Sequence, residues 1–255
     1  EALVTHESTT LTDSETEAVI VCDPPAIISS SGDVTVCSGQ SATFTVTATG
    51  DYLTYQWRKN GSNMSNGGNI SGATTATLTI NPVSASDEDD YDCLITGPCG
   101  SSVNSTDRSL TVNDLPSITS HPSNVTACVG DNVSFTVTAP NFSGRAYQWR
   151  KNGVAISGAN SASYSKANVA TSDAGSYDCV VSGTCSPSVT STAASLTVNT
   201  LPAITSNPSN QLVCMNATAT FTVVATGTGL TYQWKKGGAN LTDDGRITGT
   251  TTATM

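Results

Sequence analysis

Eight cysteines and two histidines are the residues of this chain best equipped for chemistry, and their spacing limits what that chemistry can be. Cys22, Cys37, Cys93, Cys99, Cys128, Cys179, Cys185 and Cys214 include no Cys-x-x-Cys pair, and the imidazoles are His6 and His121 alone. That set lacks the ligand spacing of a structural zinc site and reads as disulfide chemistry. Disulfides imply an oxidising compartment, so the expected location is extracellular, secreted or at a cell surface. Neither histidine sits in a recognisable nucleophile–base pairing, and no Gly-rich phosphate loop follows a strand. The expectation is therefore a non-enzyme with no catalytic, cofactor-binding or metal residues.

One acidic run invites a calcium reading. Asp87, Glu88, Asp89, Asp90 and Asp92 crowd one turn, and calcium takes oxygen ligands of this kind. The equivalent turn further on carries Ala174, Gly175 and Ser176 instead, which favours a solvated corner. Nine Asn-x-Ser/Thr sequons, from Asn60 to Asn240, are mostly compositional in a chain so rich in Asn, Ser and Thr.

The elements that must position these residues are strands. Charged residues make up 12% of the 255, no sustained 3.6-residue apolar period exists, and apolar residues alternate with threonines through Phe44, Val46 and Ala48. Tyr55 and Trp57, Leu78 and Ile80, and Leu110 and Val112 alternate likewise, the period of half-buried strands. Clusters of Gly, Asn, Ser and Asp punctuate them, so the expected class is all-β. The net charge of -10 argues against nucleic acid and against an anionic membrane surface as partners. No 18-residue apolar run is present, and Glu1 opens no signal peptide, so the sequence is expected to be mature or internal.

A repeat of roughly 90 residues organises the whole. Trp57, Trp149 and Trp234 each lie in Tyr-Gln-Trp-(Arg/Lys)-Lys, and Cys37, Cys128 and Cys214 each end a short strand before a polar turn. Pro25-Ala26-Ile27, Pro116-Ser117-Ile118 and Pro202-Ala203-Ile204 open the copies. The expected domains are 25–115, 116–201 and an incomplete 202–255, with 1–24 the end of a preceding copy. Two explanations of those ends stay open, a window of a longer polypeptide and strand complementation between subunits.

The stretch from Gly39 through Trp57, then Leu78-x-Ile80-x-x-Val83, then Asp87-x-x-x-Tyr91-x-Cys93, resembles strands B, C, E and F of an I-set-like immunoglobulin domain. Trp149 and Asp173 through Cys179 repeat the match. The resemblance implies tandem β-sandwiches in a head-to-tail array, with Trp57, Trp149 and Trp234 as core anchors and Tyr91 and Tyr177 as corner tyrosines. Val-Cys-x-Gly, Tyr-Gln-Trp-Arg-Lys-Asn-Gly and the later Gly-x-Cys are similar to repeats of large secreted surface proteins and adhesins of Bacteroidota.

The chain departs from the family at its cysteines. Val46, Val137 and Val223 stand where strand B normally carries the cysteine that bonds strand F, so Cys93 and Cys179 face valines and are expected to be buried free thiols. The turn after Cys37 lies about seven residues from Val46, too far at ~3.3 Å per residue to bridge Cys93 without another strand path. In an array, the A-to-B end of one domain would abut the FG loop of the next. That would let Cys37 reach Cys185, Cys22 reach Cys99, and Cys128 reach an FG loop beyond the sequence, with Cys214 at the same position in the third copy; bonds within one copy by an unexpected geometry remain the alternative. Lys166, where the first copy has inward-facing Ile80, is read as snorkelling to solvent, with an isopeptide bond as the sharper possibility.

The function expected is a structural or adhesive surface array of such repeats, a stalk or filament stiffened by disulfides. Its expected partners are neighbouring repeats or identical subunits, with cell-surface or glycan ligands as further candidates. The alternatives are a spacer in a larger secreted enzyme and a ligand-binding receptor.

Overall fold

The computed structural model describes residues 22–255; the expected end of a preceding copy, with His6, falls mostly outside them. The chain divides into two compact units. Of the described residues, the first joins those up to Pro116 with Asn141–Arg145 and Gly183–Pro187, and the second holds Ser117–Pro140, Ala146–Ser182 and Ser188–Met255.

In the first unit the strands are β1 (Ala26–Ser30), β2 (Val34–Cys37), β3 (Ala42–Thr49), β4 (Thr54–Lys59), β5 (Ser62–Asn63), β6 (Ile70–Ser71), β7 (Thr77–Ile80), β8 (Asp89–Thr96), β9 (Val103–Asn104) and β10 (Arg108–Asn113). They form two sheets, β1-β3-β7-β6 and β2-β10-β8-β4-β5, with β9 paired to β8. Strand β3 shows why: its side chains alternate buried and exposed from Ala42 to Val46, so threonines face water while Ala42, Phe44 and Val46 face the core. Trp57, Leu78, Ile80, Tyr91, Cys93, Ile95 and Leu110 meet them there from both sheets. The β4–β5 hairpin turns on Asn60 and Gly61, at φ of 49° and 72°. Both are left-handed, the conformation that a tight Asn-Gly hairpin turn requires.

Chain direction departs from a simple meander in one place that matters. Strand β2 leaves the β1 sheet and runs parallel to β10, with Cys37 opposite Asn113. The turn after it is closed by Ser38 N–H donating to the Asn113 carbonyl at 2.9 Å and Gln40 N–H donating to the Cys37 carbonyl at 3.0 Å, with Gly39 at φ 84°.

The second unit repeats the plan. Its strands are β11 (Val125–Cys128), β12 (Val133–Thr136), β13 (Ala146–Lys151), β14 (Val154–Ala155), β15 (Ser163–Lys166), β16 (Gly175–Ser182), β17 (Val189–Thr190) and β18 (Ala194–Asn199). Sheet β11-β18-β16-β13-β14 reproduces the larger sheet of the first unit, and β12 pairs with β15. Phe135, Val137, Trp149, Val169, Tyr177, Cys179 and Val181 are buried among them.

From Ala203 onward the unit is sparser: β19 (Ala203–Ser206) pairs with β20 (Val224–Thr226), and β21 (Lys235–Lys236) pairs with β22 (Ala239–Asn240). Trp234 is expected to be a core anchor, yet it is only half-buried. Its ring keeps the contact to Phe221 at 6.4 Å, but residues 202–255 hold no counterparts of β8 and β10, whose equivalents cover Trp57 and Trp149. Apolar side chains there, including Leu212 and Met215, face water.

Candidate functional site

Two side chains of the Tyr-Gln-Trp segment, the tryptophan and the glutamine, brace each copy from within. The Trp57 indole N–H donates to the Thr75 carbonyl, Trp149 to Ser161 and Trp234 to Thr252, each at 2.9 Å. The amide of Gln56 donates to the carbonyls of Trp57 and Met64, that of Gln148 to Trp149 and Ile156, and that of Gln233 to Trp234 and Leu241. Each glutamine thus satisfies backbone acceptors at the strand–hairpin edge. The glutamines lie beside the tryptophans in every copy, a signal the aromatic reading of this motif passes over.

At the opposite corner the Tyr91 hydroxyl donates to the Asp87 carbonyl at 2.5 Å and Tyr177 to Asp173 at 2.7 Å. Burial pushes both phenols up, Tyr177 to about 12, with Asp87 and Asp89 adding to it at Tyr91 and Tyr164 and Asp173 adding to it at Tyr177. Four of the five acidic residues of this corner, Asp87, Glu88, Asp89 and Asp92, are engaged in protein contacts. Asp87 accepts from the Ser84 backbone and hydroxyl and from Asn69, which together hold its carboxyl below the usual range against the opposing effect of burial. Asp92 pairs with Arg58, Asp89 lies 3.9 Å from Lys59, and Glu88 accepts the Val112 N–H. Arg150 and Asp178 repeat the Arg58–Asp92 pair. Lys166, with its side chain 40% exposed, lies 3.7 Å from Asp173. The His121 ring nitrogen accepts the Thr192 N–H.

The cysteines fall into three kinds. Cys93 and Cys179 are free and fully buried, opposite Trp57 and Trp149 on the neighbouring strands. Their backbone N–H groups donate to the hydroxyls of Ser105 and Ser191, and burial pushes both thiols up, Cys93 to about 11. A thiol so placed is a weak nucleophile and behaves as a small apolar group.

Cys22 is bonded to Cys99 and Cys37 to Cys185, with Cα–Cα distances of 5.9 and 5.8 Å. Both lie within the first compact unit, which takes in Gly183–Pro187. The Cys185 sulfur is buried and sits 3.6 Å from the Asn113 carbonyl, the same oxygen that closes the turn after Cys37. Small residues make room for these loops. A Cβ on Gly97 or Gly100 would press on Pro25 or Pro24, and one on Gly183 would enter the Phe142 ring space. Cys128 and Cys214, expected as staples, are free among the described residues; Cys128 is partly exposed and Cys214 exposed.

A two-sheet β fold with a buried tryptophan on one strand and a corner tyrosine defines a class. The family model for the immunoglobulin domain matches residues 24–96 and 116–183, and the chain belongs to that family. Within it, the chain is 28% identical over 258 residues to Roundabout homolog 1 of Rattus norvegicus, covering 92% of this chain and 15% of that protein. It is also 28% identical over 171 residues to Hemicentin-1 of Homo sapiens, covering 64% of this chain and 3% of that protein. The chain therefore spans a small fraction of either relative. Among solved structures, the titin I-band fragment I67–I69 in an E-to-A variant aligns with a TM-score of 0.70 at 19% identity, covering 91% of this chain and 87% of that one. That likeness concerns the fold.

Proposed function

We propose that the chain is part of an extracellular or cell-surface array of I-set-like immunoglobulin repeats whose role is structural and adhesive, with no catalysis of its own. The observation that carries this reading is the Cys37–Cys185 disulfide, which ties residues 148 positions apart and so joins the first copy of the repeat to the FG loop of the second. Repetition of a bond of that kind would turn a string of domains into a stalk or filament. The domain limits that go with this reading are 25–115, 116–201 and 202–255.

The partners it implies are neighbouring repeats or identical subunits, and a cell-surface or glycan ligand through the exposed faces. Val-Cys-x-Gly and Tyr-Gln-Trp-Arg-Lys-Asn-Gly support a source among large secreted surface proteins of Bacteroidota. No helix among the described residues is long and apolar enough to cross a membrane. The test is small-angle scattering of the full chain before and after reduction. A staple between copies predicts a larger and more variable maximum dimension after reduction; an unchanged profile would leave the stiffening without support.

A further inference from the structure

The turn that ends at Cys37 occurs again at Cys128. Cys128 lies opposite Asn199 on parallel strands β11 and β18, as Cys37 lies opposite Asn113. Val129 N–H donates to the Asn199 carbonyl at 2.9 Å, and Asp131 N–H to the Cys128 carbonyl at 3.0 Å, with Gly130 at φ 94°. A side-chain oxygen accepts the cysteine N–H in both turns, Gln40 in one and Asp131 in the other. In the first copy this strand end holds a buried FG-loop sulfur against the Asn113 carbonyl. In the second, the Cys128 thiol is free and partly exposed, and Val129 beside it is 42% exposed.

Cys22 shows that the bonding is a property of the strand end rather than of one residue. It precedes Pro25 by three positions, as Asn113 precedes Pro116 and Asn199 precedes Pro202. By sequence it occupies the β10-type side of such a ladder, and it too bonds an FG-loop cysteine. Cys99 and Cys185 hold the same place in their loops, in Gly97-Pro98-Cys99 and Gly183-Thr184-Cys185.

We infer that the Cys128–Asn199 strand end is a covalent socket for the Gly-x-Cys FG loop of a further immunoglobulin-like repeat. This deepens the stapled-array reading and rests on it. Cys214 supplies the contrast: its turn keeps the left-handed residue, Asn216 at φ 63°, and the Ala217 N–H to Cys214 carbonyl bond, but no strand pairs with residues 210–214 among those described. Closing the bond takes one proton and one electron from each of two thiols, and one small-molecule disulfide accepts both pairs and becomes two thiols. An oxidised glutathione buffer serves.

The experiment extends the full chain so that residues 1–201 are followed directly by a second copy of 116–255, which keeps the Leu-Pro junction. The product is refolded in glutathione buffer and mapped by non-reducing mass spectrometry. A peptide joining Cys128 to Cys185, beside the one joining Cys37 to Cys185, is expected, with one of the two Cys128 thiols lost to alkylation. In the Cys128→Ser form of the first copy, the added Cys185 should regain its reactivity. If Cys37–Cys185 forms while both Cys128 thiols stay reactive, the socket is overturned and the stapled array stands. If neither bond forms, both readings fall.

Discussion

The Tyr91 and Tyr177 hydroxyls and the three indole N–H groups each reach a backbone carbonyl outside their own strand. A buried acceptor deprived of its donor bears the desolvation cost, so Tyr91→Phe should lower stability by about 1–3 kcal/mol in a urea titration. Trp149→Ala should cost about 3–5 kcal/mol, since it leaves a cavity in a fully buried site. The raised phenols and thiols set a pH dependence with a definite sign. Their folded values lie above the ordinary 9.0 for cysteine and 10.0 for tyrosine, so the unfolded chain loses these protons first. Their contribution to stability is complete below pH 9 and is lost as pH climbs toward 12, which thermal melts across that range should show. Melts that hold constant through pH 11 would contradict it. At this scale the tryptophans and corner tyrosines are legible in sequence because their spacing is fixed; the glutamine and Arg–Asp braces are not, because a polar residue on a strand declares no partner.

Strand alternation made β3, β4, β7 and β10 readable from polar–apolar rhythm alone, while β8 was legible only through the family resemblance. The parallel pairing of β2 with β10 was not readable, since four residues ending in a cysteine give no clue to which sheet they join. That choice of sheet places Cys37 beside Asn113, and so decides where its sulfur can go. Glycines separate two kinds of turn. Gly61 and Gly72 both have positive φ, but a Cβ at Gly61 meets nothing within 4 Å, whereas one at Gly72 would strike the Thr77 carbonyl oxygen. Gly61→Ala should therefore cost only the left-handed strain, about 1–2 kcal/mol. Gly72→Ala adds a backbone shift of about 1–3 kcal/mol. Equal losses in chemical denaturation would show that the Gly72 turn yields freely. Gly249 and Thr254 repeat the arrangement of Gly72 and Thr77 in the last copy.

Over the whole chain, the repeat period and the proline openings carry most of what a sequence can say about architecture, and the valines at the strand-B positions rule out the usual bond of the family. Sequence left the cysteine pairing open between copies and within a copy, because distance along a chain does not fix distance in space. A bond closing so long a loop removes much freedom from the unfolded chain, about 2–4 kcal/mol in typical cases. Cys37→Ser should thus lower the thermal midpoint, while Cys128→Ser in the same chain leaves it within error. The central claim is the pairing itself, and a peptide map of the oxidised chain, alkylated at acidic pH and digested without reductant, tests it most directly. The account predicts linked peptides for Cys22–Cys99 and Cys37–Cys185, with Cys93 and Cys179 alkylated only after unfolding. Linkage of Cys37 to Cys93, or of Cys128 to Cys179, would contradict it.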